Sequence, residues 1–480
     1  MTTNRPIRSA AAAALLATLL SACTTVGPDY TGAPVVAPAA AERAGFVRAP
    51  DALTEAPAVR WWESLGDPVL NQLVADGLAG SPSLAAANAR VAQSRASLAA
   101  SKTAVLPSIN TSFAAPYINV PGNLVGDGGG RDEINAYNLG FDSAWEIDLF
   151  GGTRRKIEAA GARAEAEAAT AADARVTLSA EIARAYVGLR ARQSIQAMQQ
   201  RQLEIDRALT GLARNRFAAG SAPAQPVNTA EAQTFATEAD LVRTGAEIAI
   251  LMDQIAVLTG KEPGSLDALL TAPAPVPLPP AQVAVGNPAL MLRSRPDVRA
   301  AERQLAAANA DIGVQVAAKF PKISFLGILG LGGQNIGDVI DPGNIVGIAL
   351  PQIRWSLFDG GRAERQVEVA RSAAAEAEAR YRQSVLGALQ DAEGSLARFG
   401  AHRLAFARTL DAEQRAKATV RLQDQRLSAG TVSQTDVLNA ERQALQLSMA
   451  AASARAEVTT AFVAVEKALG LGWQADEAEK

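Results

Sequence analysis

The sequence has almost none of the residues that build disulfides, zinc sites and histidine-based active sites. It contains one cysteine and one histidine among 480 residues. A disulfide framework needs pairs of cysteines, and a structural zinc site needs a set of Cys or His ligands. The composition therefore excludes both kinds of site. No nucleophile and base pair is apparent either, so we predict no catalytic residue, no metal site, no cofactor and no enzyme activity.

Net charge and long hydrophobic runs are also lacking. The net charge is −3 at pH 7, whereas nucleic-acid binding needs a basic surface, so we expect no nucleic-acid partner. From Cys23 onward the sequence has no run of about 18 apolar residues, so it predicts no transmembrane helix there. If this protein enters a lipid bilayer, another kind of element must do so.

The single cysteine follows a secretory signal pattern. Arg5 and Arg8 form a basic start, Ala10–Leu20 is a short apolar run, and small residues precede Cys23. This pattern predicts a signal peptide over residues 1–22. A cysteine in that position is typical of the bacterial lipobox, so we predict that Cys23 is lipidated; the alternative is an ordinary cleavage site. Acyl chains would anchor the protein to one leaflet of a membrane.

An internal repeat organises the rest of the chain. Pro82 and Pro296 begin similar segments 214 residues apart, and Gly-Gly pairs follow Trp145 and Trp355, which are 210 residues apart. A proline-rich linker lies between the two copies. The predicted division is a lipidated N-terminal segment with an equatorial region (23–80), a first repeat (81–270), the linker (271–290), a second repeat (291–473) and a tail (474–480).

Each repeat contains two strand-like runs separated by a Gly-rich loop, Asn123–Gly130 in the first and Gly330–Gly343 in the second. In Leu139–Leu149 apolar residues alternate with small or acidic ones, which predicts a strand with one apolar and one polar face. In Ile345–Leu357 the alternation changes phase around Pro351. That change predicts a bulge or a sheet edge.

Aromatic residues and glycines mark the ends of these strands. Tyr117, Trp145 and Trp355 lie on the predicted strands and are candidates for an aromatic belt at a membrane interface. The glycine pairs allow unusual backbone angles where each strand changes into a helix. We predict a strand-to-helix swivel at Gly151, Gly152, Gly360 and Gly361.

Two long runs without proline follow the glycine pairs. Thr153–Phe217 and Arg362–Leu427 are rich in Ala, Arg, Glu and Gln, which favour helix. A helix of about 65 residues is roughly 100 Å long, which exceeds the width of a compact domain, so we predict coiled coils. The chain then turns at Gly220 and at Gly430. A second helix runs back from each turn, over Val227–Leu258 and Asp436–Leu469.

Four predicted strands per chain are too few to close a β-barrel. An open edge in lipid would leave unpaired backbone groups, which cost several kcal/mol each. Strands that enter a bilayer must therefore be pooled: two copies give about eight strands with a filled interior, and three give about twelve with a lumen. Asp142, Glu146 and Asp148 share one strand face and favour the wider, wetter option. The sequence thus predicts an α+β membrane protein in which shared strands continue into a helical tube.

Five motifs occur in order along the chain: CTTVGPDY at Cys23–Tyr30, WWESLGDPVL at Trp61–Leu70, RPDVRAAE at Arg295–Glu302, ANADIG at Ala308–Gly313 and FDGGR at Phe358–Arg362. Together they resemble the lipoprotein, NodT-type branch of the TolC-like outer membrane factors. The resemblance implies a homotrimer with a twelve-stranded β-barrel in the cell outer membrane, continuous with a long periplasmic α-helical barrel. It also implies a passive exit duct for small molecules such as drugs. The implied partners are a periplasmic adaptor protein and an inner-membrane efflux pump of the RND type.

The resemblance also implies a closed periplasmic entrance. In the family, acidic residues just after a Gly-Thr turn ring the pore, and Asp436 matches this position after Gly430 and Thr431. Asp424, before the turn, is a second pore-gate candidate. An acid in the first turn of a helix also stabilises the helix dipole. Helix capping by Asp436 is therefore the alternative, and the two roles are compatible.

Two other functions fit parts of the sequence. A periplasmic coiled-coil structural or adaptor lipoprotein would lack the paired strand hairpins, and a lipid-anchored enzyme would need a convergent polar pocket. The efflux duct is the function that we predict.

Overall fold

A computed structural model describes residues 25–49, 52–121 and 131–473, and it is mostly helical with a small β component. Cys23, the predicted signal peptide, the whole of the predicted loop Asn123–Gly130 and the predicted tail 474–480 lie outside the described residues. The helices within the described ranges are α1 (Pro38–Ala41), α2 (Pro68–Gly80), α3 (Pro82–Thr103), α4 (Gly152–Ala218), α5 (Gln225–Leu258), α6 (Asp267–Leu270), α7 (Pro288–Ser294), α8 (Pro296–Ala317), α9 (Arg362–Ser428) and α10 (Gln434–Ala468).

The chain folds into two compact units, and each unit takes segments from both halves of the sequence. The first contains the residues up to Pro34 together with Val91–Glu167 and Ala301–Tyr381. The second contains Val35–Arg90, Ala168–Ala300 and the residues from Arg382 onward. The predicted division into repeats describes a different level of organisation and stays a prediction.

The long helices confirm the prediction made from the absence of proline. Helices α4 and α9 have 67 residues each. Each ends in the same turn, with a left-handed glycine whose N–H donates to the carbonyl three residues earlier: Gly220 to Phe217 and Gly430 to Leu427. Helices α5 and α10 then run back antiparallel. The two helix-to-helix turns therefore share the same backbone hydrogen bond.

The strands of the described ranges belong to the first unit. They are β1 (Ser108–Ala114), β2 (Tyr117–Pro121), β3 (Arg131–Asn135), β4 (Tyr137–Ile147), β5 (Lys322–Gly333) and β6 (Ile345–Arg354). They form a four-stranded antiparallel sheet in the order β1-β4-β5-β6 and a separate two-stranded sheet of β2 and β3. The hairpin β2–β3 is additional to the four predicted strands.

The prediction that a loop begins at Gly330 is wrong, because β5 continues to Gly333. Glycine usually marks loops, but here it permits a close approach of two strands. A Cβ atom on Gly140 of β4 would lie 2.7 Å from Cα of Gly330. The two glycines therefore face each other within the sheet instead of ending it.

Two expectations for the last strand are also corrected. Trp355 was predicted on a strand, but β6 ends one residue earlier, at Arg354. No bulge occurs at Pro351, which pairs with Phe325 in an unbroken register from Lys322 to Leu331. The edge alternative is confirmed for the described sheet, since β6 is its last strand. An edge position suits proline because proline has no N–H to donate.

The second unit has a buried apolar core around α2 and α4. Leu70, Leu73 and Ile182 are completely buried, and Trp61 is 2% exposed. Helix α2 begins at Pro68, and the preceding Asp67 caps it by accepting the N–H groups of residues 69 and 70. Such a cap stabilises a helix by about 1 kcal/mol. The cap carboxylate also accepts the hydroxyl of Tyr186 at 2.7 Å, which fixes α2 on α4.

Candidate channel wall and entrance

One face of the four-stranded sheet carries no charged side chain on any of its strands. Residues directly opposite each other in a sheet share a face, and the row through Phe141 contains Thr111, Leu329 and Gly347. The large exposed side chains of this apolar face include Ile109, Phe113, Leu139, Trp145, Ile345 and Ile353. Its composition suits contact with lipid.

All charged side chains of the same four strands lie on the opposite face, which we call the mixed face. They are Asp142, Glu146, Lys322 and Arg354. The ammonium of Lys322 lies 3.2 Å from the carboxylate of Glu146, and the hydroxyl of Ser112 donates to the carboxylate of Asp142. The predicted acidic face of Leu139–Leu149 is therefore present on β4 for its two strand residues, Asp142 and Glu146, and Asp148 follows the end of the strand.

The two predicted belt tryptophans make the same contact in each repeat. The indole N–H of Trp145 donates to the carbonyl of Val105 at 3.0 Å, and that of Trp355 donates to the carbonyl of Lys319 at 3.0 Å. Both acceptors lie two residues before a proline that precedes a strand. The rings remain 40% and 54% exposed. Tyr117, at the start of β2, is 59% exposed, so all three aromatic side chains are accessible in a single chain.

The glycine pairs lie where each hairpin passes into a long helix. Gly151, Gly360 and Gly361 have positive φ angles of 81°, 67° and 83°, whereas Gly152 is the first residue of α4. Only glycine adopts such angles without strain. The swivel role predicted for these residues stays a prediction, and three of them have the backbone conformation that it needs.

An aspartate caps the long helix next to each pair. Asp148 accepts the N–H groups of Thr153 and Arg154 at 3.0 and 2.9 Å. Asp359 accepts those of Gly361 and Ala363 at 2.9 and 2.8 Å. These backbone hydrogen bonds, chiefly the one from Ala363, hold the pKa of Asp359 below its ordinary value.

A buried arginine holds the N-terminal segment at the first swivel, a role that sequence reasoning missed. Arg155 is 3% exposed. Its guanidinium donates to the carbonyls of Val26 and Gly27 and to the carboxylates of Asp29 and Glu158. The packing is tight, since a Cβ on Gly27 would lie 2.4 Å from Cα of Gly313, and one on Gly151 would lie 2.7 Å from Thr25. No local pattern distinguishes Arg155 from the exposed Arg154 before it.

At the turn between α9 and α10, Asp436 forms a capping box with Ser433. Its carboxylate accepts the N–H and the hydroxyl of Ser433 at 2.8 and 2.7 Å. The hydroxyl contact, more than the positive charges of Arg216 and Arg426, lowers the pKa of this carboxyl. The capping alternative is therefore present in the structure, and Asp436 is still exposed to solvent. Asp424 is also exposed, on the last turns of α9.

Polar contacts join the first-repeat helix α4 to the second-repeat helix α10 near these turns. The carboxylate of Asp206, 1% exposed, accepts the hydroxyl of Thr237 at 2.7 Å and lies 3.7 Å from the guanidinium of Arg442. Arg201 reaches Glu441 at 3.4 Å. Sequence reasoning missed this cluster because its members are distant in the chain and only the packing of three helices brings them together.

Metal-binding clusters and membrane-spanning helices are both absent from the described ranges. There, no three His, Cys, Asp or Glu side chains lie close enough together to hold a metal ion. None of the helices in the same ranges is both long and apolar enough to cross a membrane.

Comparison with known proteins identifies the family to which this chain is similar. A model of the family "Outer membrane efflux protein" matches residues 73–261 and 287–471. Nodulation protein T of Rhizobium leguminosarum bv. trifolii is 29% identical over 95% of this chain and 96% of its own length. The pyoverdine export outer membrane protein OpmQ of Pseudomonas aeruginosa is 31% identical over 87% of this chain and 88% of its own.

Solved structures of outer-membrane channels are also similar to this chain. The outer-membrane channel OprN is 31% identical, with a TM-score of 0.82 over 94% of this chain and all of that one. The open state of the MtrE channel of Neisseria gonorrhoeae is 26% identical, with a TM-score of 0.77 over 93% of this chain and 98% of that one. The predicted resemblance to TolC-like outer membrane factors is confirmed, as is the prediction of a channel rather than an enzyme. The chain belongs to the outer membrane efflux protein family.

Proposed function

We propose that three copies of this chain form the outer-membrane exit duct of a tripartite efflux system. Each copy gives four strands to a twelve-stranded β-barrel and two helix pairs to a periplasmic α-helical barrel. Small molecules then pass from an inner-membrane pump of the RND type, through a periplasmic adaptor protein, to the exterior. The observation that carries the proposal is the four-stranded sheet with one uncharged face and two edges that pair with no strand of the described ranges.

The two edges argue for a shared barrel. Strands β1 and β6 end the sheet, and their outer N–H and C=O groups lack a ladder partner within the described chain. In lipid each unsatisfied backbone group costs several kcal/mol. Pairing of β6 with β1 of the next copy would remove every edge when the ring closes. Three copies leave a lumen for solutes, whereas two would enclose an interior that side chains fill.

Apolar stripes on the helices argue for the same assembly. On α5 the exposed residues Phe235, Val242, Ile250 and Val257 recur every seven or eight residues and are 57–75% exposed. On α9, Leu386, Leu404 and Leu422 recur every 18 residues, which is five helical turns, and so lie in one line. Stripes of this length on a single chain fit burial between copies.

Cysteine cross-linking between the two edges tests the barrel. One cysteine replaces Ser108, Asn110 or Ser112 on β1, and a second replaces Gln352 on β6. We expect at least one pair to yield covalent dimers and trimers on a denaturing gel, and the purified protein to conduct ions in planar bilayers.

A control pair of cysteines tests cross-linking within a single chain. Ala144 and Leu326 face each other within one chain, so cysteines there should cross-link without raising the chain's apparent mass. Single-chain bands from every edge pair, together with an absence of conductance, would overturn the proposal.

Lipidation at Cys23 completes the membrane attachment in this proposal. Thr25, two residues later, packs against Gly151 beside the end of β4, and Arg155 holds the following residues there. An acyl chain on Cys23 would then enter the leaflet next to the barrel, and Tyr117, Trp145 and Trp355 would lie at the membrane interfaces. Mass spectrometry of the mature protein detects the acyl groups, and a Cys23→Ser variant should lack them.

The helix turns form the periplasmic entrance in this proposal. Asp436 and Asp424 would line it, and the contacts of Arg201 and Asp206 with α10 would hold it narrow. The swivels at the two glycine pairs join barrel and helices, and the repeats at 81–270 and 291–473 each supply one hairpin and one helix pair. Affinity purification of a tagged trimer should recover the adaptor and pump.

A further inference from the structure

The mixed face of the sheet differs between its two halves. One row across the strands contains Asn110, Asp142, Ile328 and Ile348 in direct register. The first two residues, on β1 and β4, are polar. The last two, on β5 and β6, are branched and apolar. Within this row the division follows the two halves of the sequence, with β1 and β4 polar and β5 and β6 apolar.

Neighbouring rows extend the apolar half. Leu326 pairs with Leu350, and Gly330 pairs with Val346. Leu326, Val346, Ile348 and Leu350 are 36–43% exposed. We call Leu326, Ile328, Val346, Ile348 and Leu350 the apolar sector. A strand that is apolar on both faces is normal where both faces are buried, but these side chains are accessible to solvent in the chain.

The location of the apolar sector inside the lumen rests on the proposed function, in which the sheet is part of a membrane barrel. The apolar face carries no charge on any of the four strands, so it is the face that lipid can cover. The mixed face then lines the lumen. Lumen faces of such barrels are ordinarily polar, which leaves the apolar sector exposed to whatever passes through the channel.

A carboxylate borders the sector. Asp142 lies directly opposite Ile328, and side chains so paired have Cβ atoms about 5 Å apart. The nearest basic side chains on this face lie elsewhere: Lys322 pairs with Glu146 at 3.2 Å, and Arg354 lies opposite Lys322. Glu146, which holds the Lys322 ammonium, lies four residues along β4 from Asp142, which is about 13 Å. This exceeds the screening length of about 8 Å at physiological ionic strength, so the field beside the sector is negative.

We propose that the apolar sector and Asp142 form a weak transit site, one per chain, for cations that carry an apolar body. The apolar part of such a solute would cover Ile328 and Ile348 while its positive charge lies beside Asp142. An anion of the same shape would meet the carboxylate, and a small hydrophilic cation would gain nothing from the isoleucines.

Open-channel block in planar bilayers tests this proposal with three probes. Benzyltrimethylammonium has a cation and an aromatic ring, benzenesulfonate has the ring with a negative charge, and tetramethylammonium has the cation without the ring. We expect benzyltrimethylammonium to reduce the current at a concentration about tenfold lower than either of the others, a factor that corresponds to about 1.4 kcal/mol.

Two variants separate the parts of the site. Ile328→Ser with Ile348→Ser should remove the preference for the ring, and Asp142→Asn should reduce the preference for the cation over the sulfonate. The matched control, Ile328→Val with Ile348→Val, keeps an apolar surface of nearly the same size. The probes should block this variant at the same concentrations as the parent protein.

Outcomes for this site and for the duct are distinguishable. A protein that forms no pore contradicts the duct itself. If the protein conducts but the three probes block it equally, the transit site is wrong. The transit site is also wrong if benzyltrimethylammonium blocks the serine variant as well as it blocks the parent protein. In either case the duct stands.

Discussion

At the scale of single residues, two carboxyl groups illustrate opposite effects of their surroundings. Asp436 is exposed and accepts hydrogen bonds, which lowers its pKa. Glu466 on α10 is 3% exposed, and burial raises its pKa to about 8. The first group keeps its charge where an entrance could use it, and the second keeps its proton inside the second unit.

Replacing Asp436 separates its two roles. We expect Asp436→Ala to lower the preference of the channel for cations, because three carboxylates near a narrow entrance attract them. Reversal potentials in a salt gradient measure this preference. Because its pKa is lowered, the carboxylate stays charged in mildly acidic buffer, and the preference should disappear only as the pH falls through that lowered value.

Ser433→Ala is the control for Asp436. It removes the capping partner and keeps the carboxylate, so it should shift thermal stability more than selectivity. Unchanged reversal potentials in Asp436→Ala would remove this residue from the entrance.

Glu466 should make stability depend on pH. Burial raises the pKa of its carboxyl in the folded protein to about 8. Its contribution to the free energy of unfolding is therefore fully present below the unfolded pKa of about 4.3 and is lost as the pH rises through about 8. The melting temperature of the parent protein should therefore fall over this range. Glu466→Gln cannot ionise, so its melting temperature should change less with pH. Parallel curves for the two proteins would contradict a buried neutral carboxyl.

At the scale of elements, the helices were predictable and the strand ends were not. Absence of proline and abundance of helix formers act locally, so they fixed α4 and α9 to within one residue at each end. Strand ends depend on partners. Gly330 stays in β5 because Gly140 faces it, and Trp355 leaves β6 and donates to Lys319. Arg155 and Asp206 were missed for the same reason, since only long-range contacts define them.

Gly361, just before α9, and Gly400, inside α9, should respond to substitution by alanine with stability changes of opposite sign. Gly361→Ala keeps open space around the new methyl group but places it on a residue with φ of 83°, which costs about 1–2 kcal/mol. Gly400→Ala adds a methyl group on the exposed surface of α9 with nothing within 4 Å. It should stabilise by up to about 1 kcal/mol. Thermal denaturation of the purified protein compares the two variants, and a loss in both would contradict the conformational argument.

At the scale of the whole molecule, the apolar stripes predict how the assembly fails. Val242 is 75% exposed in a single chain, and a carboxylate there would be buried without a partner between copies. We expect Val242→Asp to convert trimers to monomers in mild detergent, as measured by light scattering.

Asp240→Ala is the control, because it changes the charge two residues earlier, on another side of α5. It should leave the trimer intact. Trimers that persist in Val242→Asp would show that this stripe lies outside the subunit contact.

The pairing of β4 with β5 has a further consequence for symmetry. It places the two hairpins of one chain side by side, so a ring of three chains would contain six hairpins in a nearly sixfold arrangement. In such a ring the mixed faces of the two hairpins would line the lumen, and they differ in the row through Asp142. At the level of Asp142, polar and apolar sectors would therefore alternate around the lumen, and a solute there would always lie next to one of each kind.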